Sequence, residues 1–264
     1  MTNTQKLIKI CAQAFAIFLI ITIISAIAST IYIVGTALMP SKNTELKETI
    51  CDNYQGNIDY LEVSIGASNI EVKKANTFKI ETNNVKLKCK ANNNSIIINE
   101  KNVLNFTKKG KVIVYLPEMD KVDIEVGAGL LEIEDIKTNK LKLNLGAGKT
   151  IINNLNVTTA TIDAGAGSFE IKKGIIDDLN FDMGVGSVYI KSKLNKADID
   201  SGIGTLNIDL IGNETDHLLD ISKGIGQIKV MNQIIEHDEI IGNGNKKIKI
   251  DGGIGNIKIN FVQE

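Results

Sequence analysis

The 264-residue chain contains no arginine and no tryptophan, and only two prolines, two histidines and three cysteines. Aromatic residues make up 5% of it. Thirty lysines against thirty-one acids leave a formal net charge of -1. A near-neutral chain lacks the concentrated basic surface of a nucleic-acid binder. The scarcity of aromatic rings removes most stacking platforms for bases and sugars. Few histidines and cysteines leave little material for a metal centre or a nucleophile. No Ser/His/Asp order, Cys-x-x-Cys pair or phosphate loop is present.

Charge is also missing from Ile10 to Ser41, between Lys9 and Lys42. Ile, Ala, Phe, Leu and Val dominate residues 10–40. A bilayer core of about 30 Å needs about 20 apolar residues in a helix, so this run predicts a membrane span. Two readings compete. A cleaved secretory signal is one, with Ala26-Ile27-Ala28 as its small-residue site. An uncleaved signal-anchor is favoured, because the apolar run continues through Ile31, Ile33, Val34 and Leu38. Lys6 and Lys9 place the short tail, residues 1–9, in the cytoplasm. Either reading sends residues 41–264 out of the cytoplasm, and the favoured one makes a single-pass bacterial cell-membrane protein with its C-terminal domain extracytoplasmic. That segment carries a formal charge of -3, having all the acids and all the lysines except Lys6 and Lys9. Cys51 and Cys89 then meet an oxidising space, where one disulfide or two separate thiols are both open.

Glycine, by contrast, is plentiful and regularly placed. A Gly-x-Gly unit recurs seven times, formed by Gly127 and Gly129, Gly146 and Gly148, Gly165 and Gly167, and Gly184 and Gly186. It continues with Gly202 and Gly204, Gly224 and Gly226, and Gly253 and Gly255. A degenerate copy is Gly66-Ala67-Ser68. The first four units begin 19 residues apart. Four residues before each middle position stand Val63, Ile124, Leu143, Ile162, Phe181, Ile199, Ile221 and Ile250. Five residues after it stand Val72, Ile133, Ile152, Ile171, Ile190, Ile208, Val230 and Ile259. The columns between are mostly polar, which is the alternation of strands with one buried face. The change from even to odd offsets across the glycines predicts a corner there. The middle residue, always apolar, is expected to point inward. Its volume looks balanced by the residue two before it, with Ala164 beside Ala166 as the exception.

One 19-residue unit cannot bury its own face, whereas stacked units can. The expected fold is therefore all-β: a β-solenoid (β-helix) over residues 61–264, behind a tether at 41–60 and the transmembrane helix at 10–40. A β-sandwich is the competing architecture. Residues 76–121 break the period and read as irregular opening coils. Residues 211–218 and 231–247 lengthen later units and read as projecting loops. The last strand ends close to Glu264, leaving an edge to be capped or paired.

Leu116-Pro117, the strand Val122–Val126, its Gly127-Ala128-Gly129 corner and the later copies resemble the bacterial putative-adhesin domain family of unknown function. The resemblance covers roughly residues 61–262. It implies a cell-envelope component, often membrane-anchored, and supplies no catalytic residues.

The candidate surface feature is an exposed acidic column three positions before the middle residue: Asp163, Asp182, Asp200 and Asp251. Stacked carboxylates repel, and Ca²⁺ relieves such repulsion through oxygen ligands. A solvated stripe beside Lys172 and Lys191 is the plainer reading, and no catalytic, metal or cofactor site is expected. His217 and His237, with Asp216, Glu236 and Asp238 beside them, read as surface histidines. The expected function is binding, adhesion or envelope structure without catalysis. Its partners are the lipid bilayer through residues 10–40 and an unidentified protein or cell-wall polymer, with no nucleic acid. A homo-oligomeric, self-assembling rod, an accessory to envelope-stress signalling and a polysaccharide-active enzyme are the alternatives.

Overall fold

The computed structural model describes residues 45–52, 54, 56, 58–100 and 110–263, all within one unit, Ser41–Glu264. The expected tail 1–9 and membrane segment 10–40 lie outside the described residues. Among those described, no helix is long and apolar enough to cross a membrane.

Among the described residues, seventeen strands form one unclosed sheet. They are β1 (Lys47–Thr49), β2 (Tyr60–Ile65), β3 (Asn69–Lys74), β4 (Lys79–Thr82), β5 (Leu87–Asn92), β6 (Ser95–Glu100), β7 (Lys111–Leu116), β8 (Met119–Ile133) and β9 (Ile136–Ile152). After these come β10 (Leu155–Asp200), β11 (Ile203–Ile211), β12 (His217–Ser222), β13 (Ile225–Val230), β14 (Gln233–Ile235), β15 (Glu239–Gly242), β16 (Lys246–Asp251) and β17 (Ile254–Val262). The helical content among the described residues is one 3-10 turn, Glu214–Asp216.

Alternating aliphatic residues make these segments strands, and parallel pairing makes them coils. Ile133 lies opposite Ile152, and Ile152 opposite Ile171, each a repeat later. All three are fully buried. The files before and after the corner meet in one continuous core. Phe169 and Phe181, from opposite sides of a corner, pack with ring centroids 5.1 Å apart. Fully burying each such side chain stabilises the fold by about 1.5–3 kcal/mol. This is a solenoid-like architecture.

Both ends depart from sequential stacking. Before the corner the spatial order is β5, β6, β2, β8, β9, β10, β16, β12, β15. After it the order is β1, β4, β7, β3, β8, β9, β10, β11, β17, β13, β14. The last coil, β16 and β17, therefore slots between the two coils that precede it in sequence. The terminal strand, expected to be an edge, is paired on both sides. Residues 231–247, expected to project as a loop, instead supply β14 and β15, which close that end antiparallel.

At the other end β4 and β5 do the same against β7 and β6. Part of the expected tether docks there: β1 pairs with β4, and Cys51 is disulfide-bonded to Cys89 of β5. Short or lysine-bearing edges of this kind discourage edge-to-edge association. The degenerate corner is clasped by side chains. Ser68 Oγ donates to Glu100 Oε1 at 3.2 Å, and Asn84 Nδ2 donates to both groups.

At the regular corners the second glycine has a φ between +134° and +149°, a region glycine enters without penalty. A Cβ on Gly148, Gly167 or Gly186 would overlap the carbonyl oxygen of the glycine one coil earlier. Gly226 departs from that sequential rule. Its Cβ would overlap the carbonyl of Gly255, the glycine of the last coil, because that coil and not the preceding one lies beside it. The middle residue does not point inward as expected. Val185, Ile203, Ile254 and Ile225 are 53%, 50%, 51% and 72% exposed. The alternation breaks at the first glycine, so the middle residue turns to solvent. It therefore shares no layer with the residue two before it, and the expected volume balance does not operate. A cavity of about 30 Å³ underlies the corners, with Ala164 among its lining residues.

Gly167→Ala combines carbonyl overlap with a strained φ, and is expected to cost about 3 kcal/mol or more. Exposed Ser168→Ala next to it should stay within about 0.5 kcal/mol. Urea melts of the two variants check this, and equal stability would refute the corner account.

Candidate functional site

The acidic column occupies outward positions on the strand before each corner. Asp163 stands opposite Asn144, Asp200 opposite Asp251, and Asp251 opposite Ser222. The carboxyl of Asp182 faces both Asp163 and Asp200. The four aspartates thus form one file across four neighbouring coils. Asp198, two residues before Asp200 and absent from the sequence reading, stands beside this file, opposite Lys249. The carboxylates of Asp198, Asp200 and Asp251 lie within 4.8 Å of one another, the one such ligating cluster among the described residues. Lys249 Nζ lies 3.3 Å from Asp198 and 2.5 Å from Asp251, and so supplies positive charge within the cluster itself.

These contacts separate the acids electrostatically. Partial burial, then hydrogen bonding to Asp163 and Asp200 and their charge, holds the Asp182 carboxyl above the usual carboxylate range. The hydrogen bond from Lys249 dominates at Asp251 and holds it below that range, against some desolvation. Carboxylates with separated proton affinities are what a glycosidase pair requires. Here, however, they stand in an open file: Asp163, Asp182 and Asp200 are exposed.

A different polar file lies eight residues before the middle position of each unit. Asn139 Nδ2 donates to Asp120 Oδ1 and Asn195 Nδ2 to Asp177 Oδ1, each at 2.7 Å. Beside them an open groove of about 430 Å³ is lined by residues including Asp120, Asn139, Thr158, Ile175 and Asp177. Asn and Asp recurring eight residues before the middle position were a legible signal for this file that the sequence reading passed over.

The two histidines diverge. His237 is exposed, but His217 is 1% exposed and opens β12. The Nδ1 atom of His217 pairs with the Asn213 carbonyl at 2.8 Å, and Phe261 packs on its ring at 5.2 Å. Its Nε2 is buried without a hydrogen-bond partner. A surface histidine was expected, but the short turn after Gly212 folds this one under the cap.

A family model described as Toastrack DUF4097 matches residues 55–238. The chain belongs to the Toastrack DUF4097 family. Among solved structures, this Toastrack chain resembles a putative adhesin from Bacteroides fragilis. That likeness has 17% identity and a TM-score of 0.58, and covers 83% of this chain and 98% of the other. A putative adhesin from Parabacteroides distasonis is 15% identical, with a TM-score of 0.41 over 83% of this chain and 98% of its own. No curated protein matches the chain. At these identities the likeness to the Bacteroides fragilis protein establishes the fold.

Two titrations of opposite sign follow for this Toastrack domain. The raised Asp182 makes the folded state bind protons more readily than the unfolded one, so its repulsion weakens the fold at neutral pH and is relieved as pH falls. Asp182→Asn should raise stability at pH 7 by about 0.5 kcal/mol, the scale of a cross-strand charge pair, and the gain should vanish in acid. Burial foremost, with the Lys246 charge, lowers the affinity of His217 for a proton. Stability should therefore fall as pH drops through the ordinary histidine range, and His217→Gln should flatten that dependence. Urea melts from pH 4 to 8 test both, and unchanged pH profiles would refute them.

Proposed function

We propose that this chain is a β-solenoid of about 19-residue Gly-x-Gly coils, anchored in a bacterial cell membrane and displayed on its outer side. There it acts as a binding or adhesion module of the envelope, by presentation rather than catalysis. The observation that carries this reading is the recurrence of outward columns from coil to coil, the aspartates Asp163, Asp182, Asp200 and Asp251 and the aliphatics Val185, Ile203, Ile254 and Ile225. Repeat architectures of this kind offer extended recognition surfaces. The solved relative named a putative adhesin has the same fold.

The charge-free run at 10–40 and Lys6 and Lys9 before it support the anchor and its direction. The Cys51–Cys89 disulfide suits an oxidising compartment. The open, like-charged acid file favours a non-catalytic role over hydrolysis of polysaccharide. Antiparallel strands at both ends count against head-to-tail growth into a filament.

Intact cells producing full-length Ser187→Cys test the topology. A membrane-impermeant maleimide should label the exposed residue without lysis, and labelling only after lysis would overturn it. For the module, cells carrying the chain should retain purified cell-surface material saturably. Equal retention by cells without the chain would sink the binding role.

A further inference from the structure

The last four coils present a surface that core packing does not require. Val185 stands opposite Ile203, Ile203 opposite Ile254, and Ile254 opposite Ile225. At about 4.8 Å per coil this aliphatic ridge runs about 14 Å along the stack. Three residues earlier in the first three of these coils stand Asp182, Asp200 and Asp251. Between the two files the first three coils offer no large outward side chain, while in the fourth Lys223 stands there, partly exposed. Met183 is buried, Ser201 Oγ lies 4.0 Å from its sulfur, and Gly184, Gly202 and Gly253 follow. A carboxylate file and an aliphatic ridge thus flank a strip of bare backbone, about 10 Å apart by extended geometry.

We propose that this strip is a docking site for an extended polypeptide segment in which basic and aliphatic residues alternate. The inference rests on the reading of the stack as a binding module and names its surface. In an extended segment, successive side chains point to opposite sides. One set meets the aspartates and the other meets the ridge. The segment repeats every 6.6–6.8 Å on each side against about 4.8 Å between coils, a mismatch that long lysine stems absorb.

Charge selects among occupants. An anionic membrane surface or polymer is repelled by the acid file. A second copy has little to bury here: four half-exposed side chains fall well short of the roughly 800 Å² per partner of a stable interface. An antiparallel copy would also set one acid file against another. Lys249 already covers Asp251, so the incoming cations centre on Asp182 and Asp200.

The test uses the full chain and a fluorescein-labelled ten-residue peptide of alternating lysine and valine, read by anisotropy. Wild type should bind it. The double variant Ile203→Ser, Ile254→Ser should bind about ten-fold more weakly, as should Asp182→Asn, Asp200→Asn. Lysine–serine and glutamate–valine peptides should be at least ten-fold weaker on wild type. If the ridge variant melts early, Ile225→Ser replaces it, being the most exposed position of the four.

Undiminished binding by the ridge variants reduces the effect to plain charge attraction and overturns the proposal. Undiminished binding by the aspartate variant does the same. A ridge variant that turns an oligomer into a monomer in light scattering assigns the ridge to a second copy and overturns it. A wild-type chain that ignores the peptide while its cells still retain surface material refutes the strip alone and leaves the module reading standing.

Discussion

The structure depends on how closely two backbones approach at each corner. The carbonyl oxygen of one glycine fills the space that a Cβ on the neighbouring coil's glycine would need, from Gly129 under Gly148 through Gly204 under Gly255 to Gly255 under Gly226. That approach lets the strands on both sides of the corner keep one parallel register, so aliphatic side chains fall on aliphatic side chains. A side chain at either glycine would push coils apart where two ladders join, and the mispairing would extend into both. The requirement lapses at Ser68, because the outer neighbour there is not another Gly-x-Gly corner. It is the Glu100 side chain, which accepts from Ser68 and from the Ala67 N–H.

Stacking creates the complementary problem of two open ends, and the chain solves it alike at both. At the C-terminal end the outer coil, β12 and β13, is laid first, β14 and β15 fold back antiparallel over it, and the chain returns inward as β16 and β17. At the N-terminal end the capping strands β4 and β5 precede the outer coil, β6 and β7, and the chain then returns inward as β8. The capping strands are short, three residues in β1 and β14 and four in β15. His217 belongs to this arrangement. Its backbone pairs with β16, its ring packs on Phe261 of β17, and both elements are the returned coil. Burial of that ring ties the cap's integrity to its staying neutral.

The inward files were legible from residues alone, because position −4 is aliphatic or aromatic in every copy and position +5 is aliphatic. The corner was legible as a corner. The side of the glycine on which alternation breaks was not. Placing the break after the middle residue or before it leaves both files intact, and the apolar character of Ile203 or Ile225 argued for the wrong choice. Coil order at the ends was illegible for another reason. Gly224 and Gly226 carry the same signature as Gly253 and Gly255, so nothing in the pattern says that the last coil must enter between two earlier ones. The acid file required only the alternation, whereas Asp198 and Lys249 needed the register between β10 and β16 to meet.

Because each coil touches only its neighbours, stability and surface chemistry sit on separate columns. The inward columns, with Ile162, Ile171 and Phe181, sustain the stack whatever stands outside. The outward columns can therefore carry features that cost stability, such as a file of aspartates or four half-bare aliphatics, without endangering the fold. Repulsion at Asp182 is spread over its two coil neighbours and is partly offset farther along by Lys249. An exposed isoleucine at a corner gains almost nothing from the interior. A surface that bears both costs side by side is not required by the fold, and this is why the search for function in this architecture belongs on the outward columns.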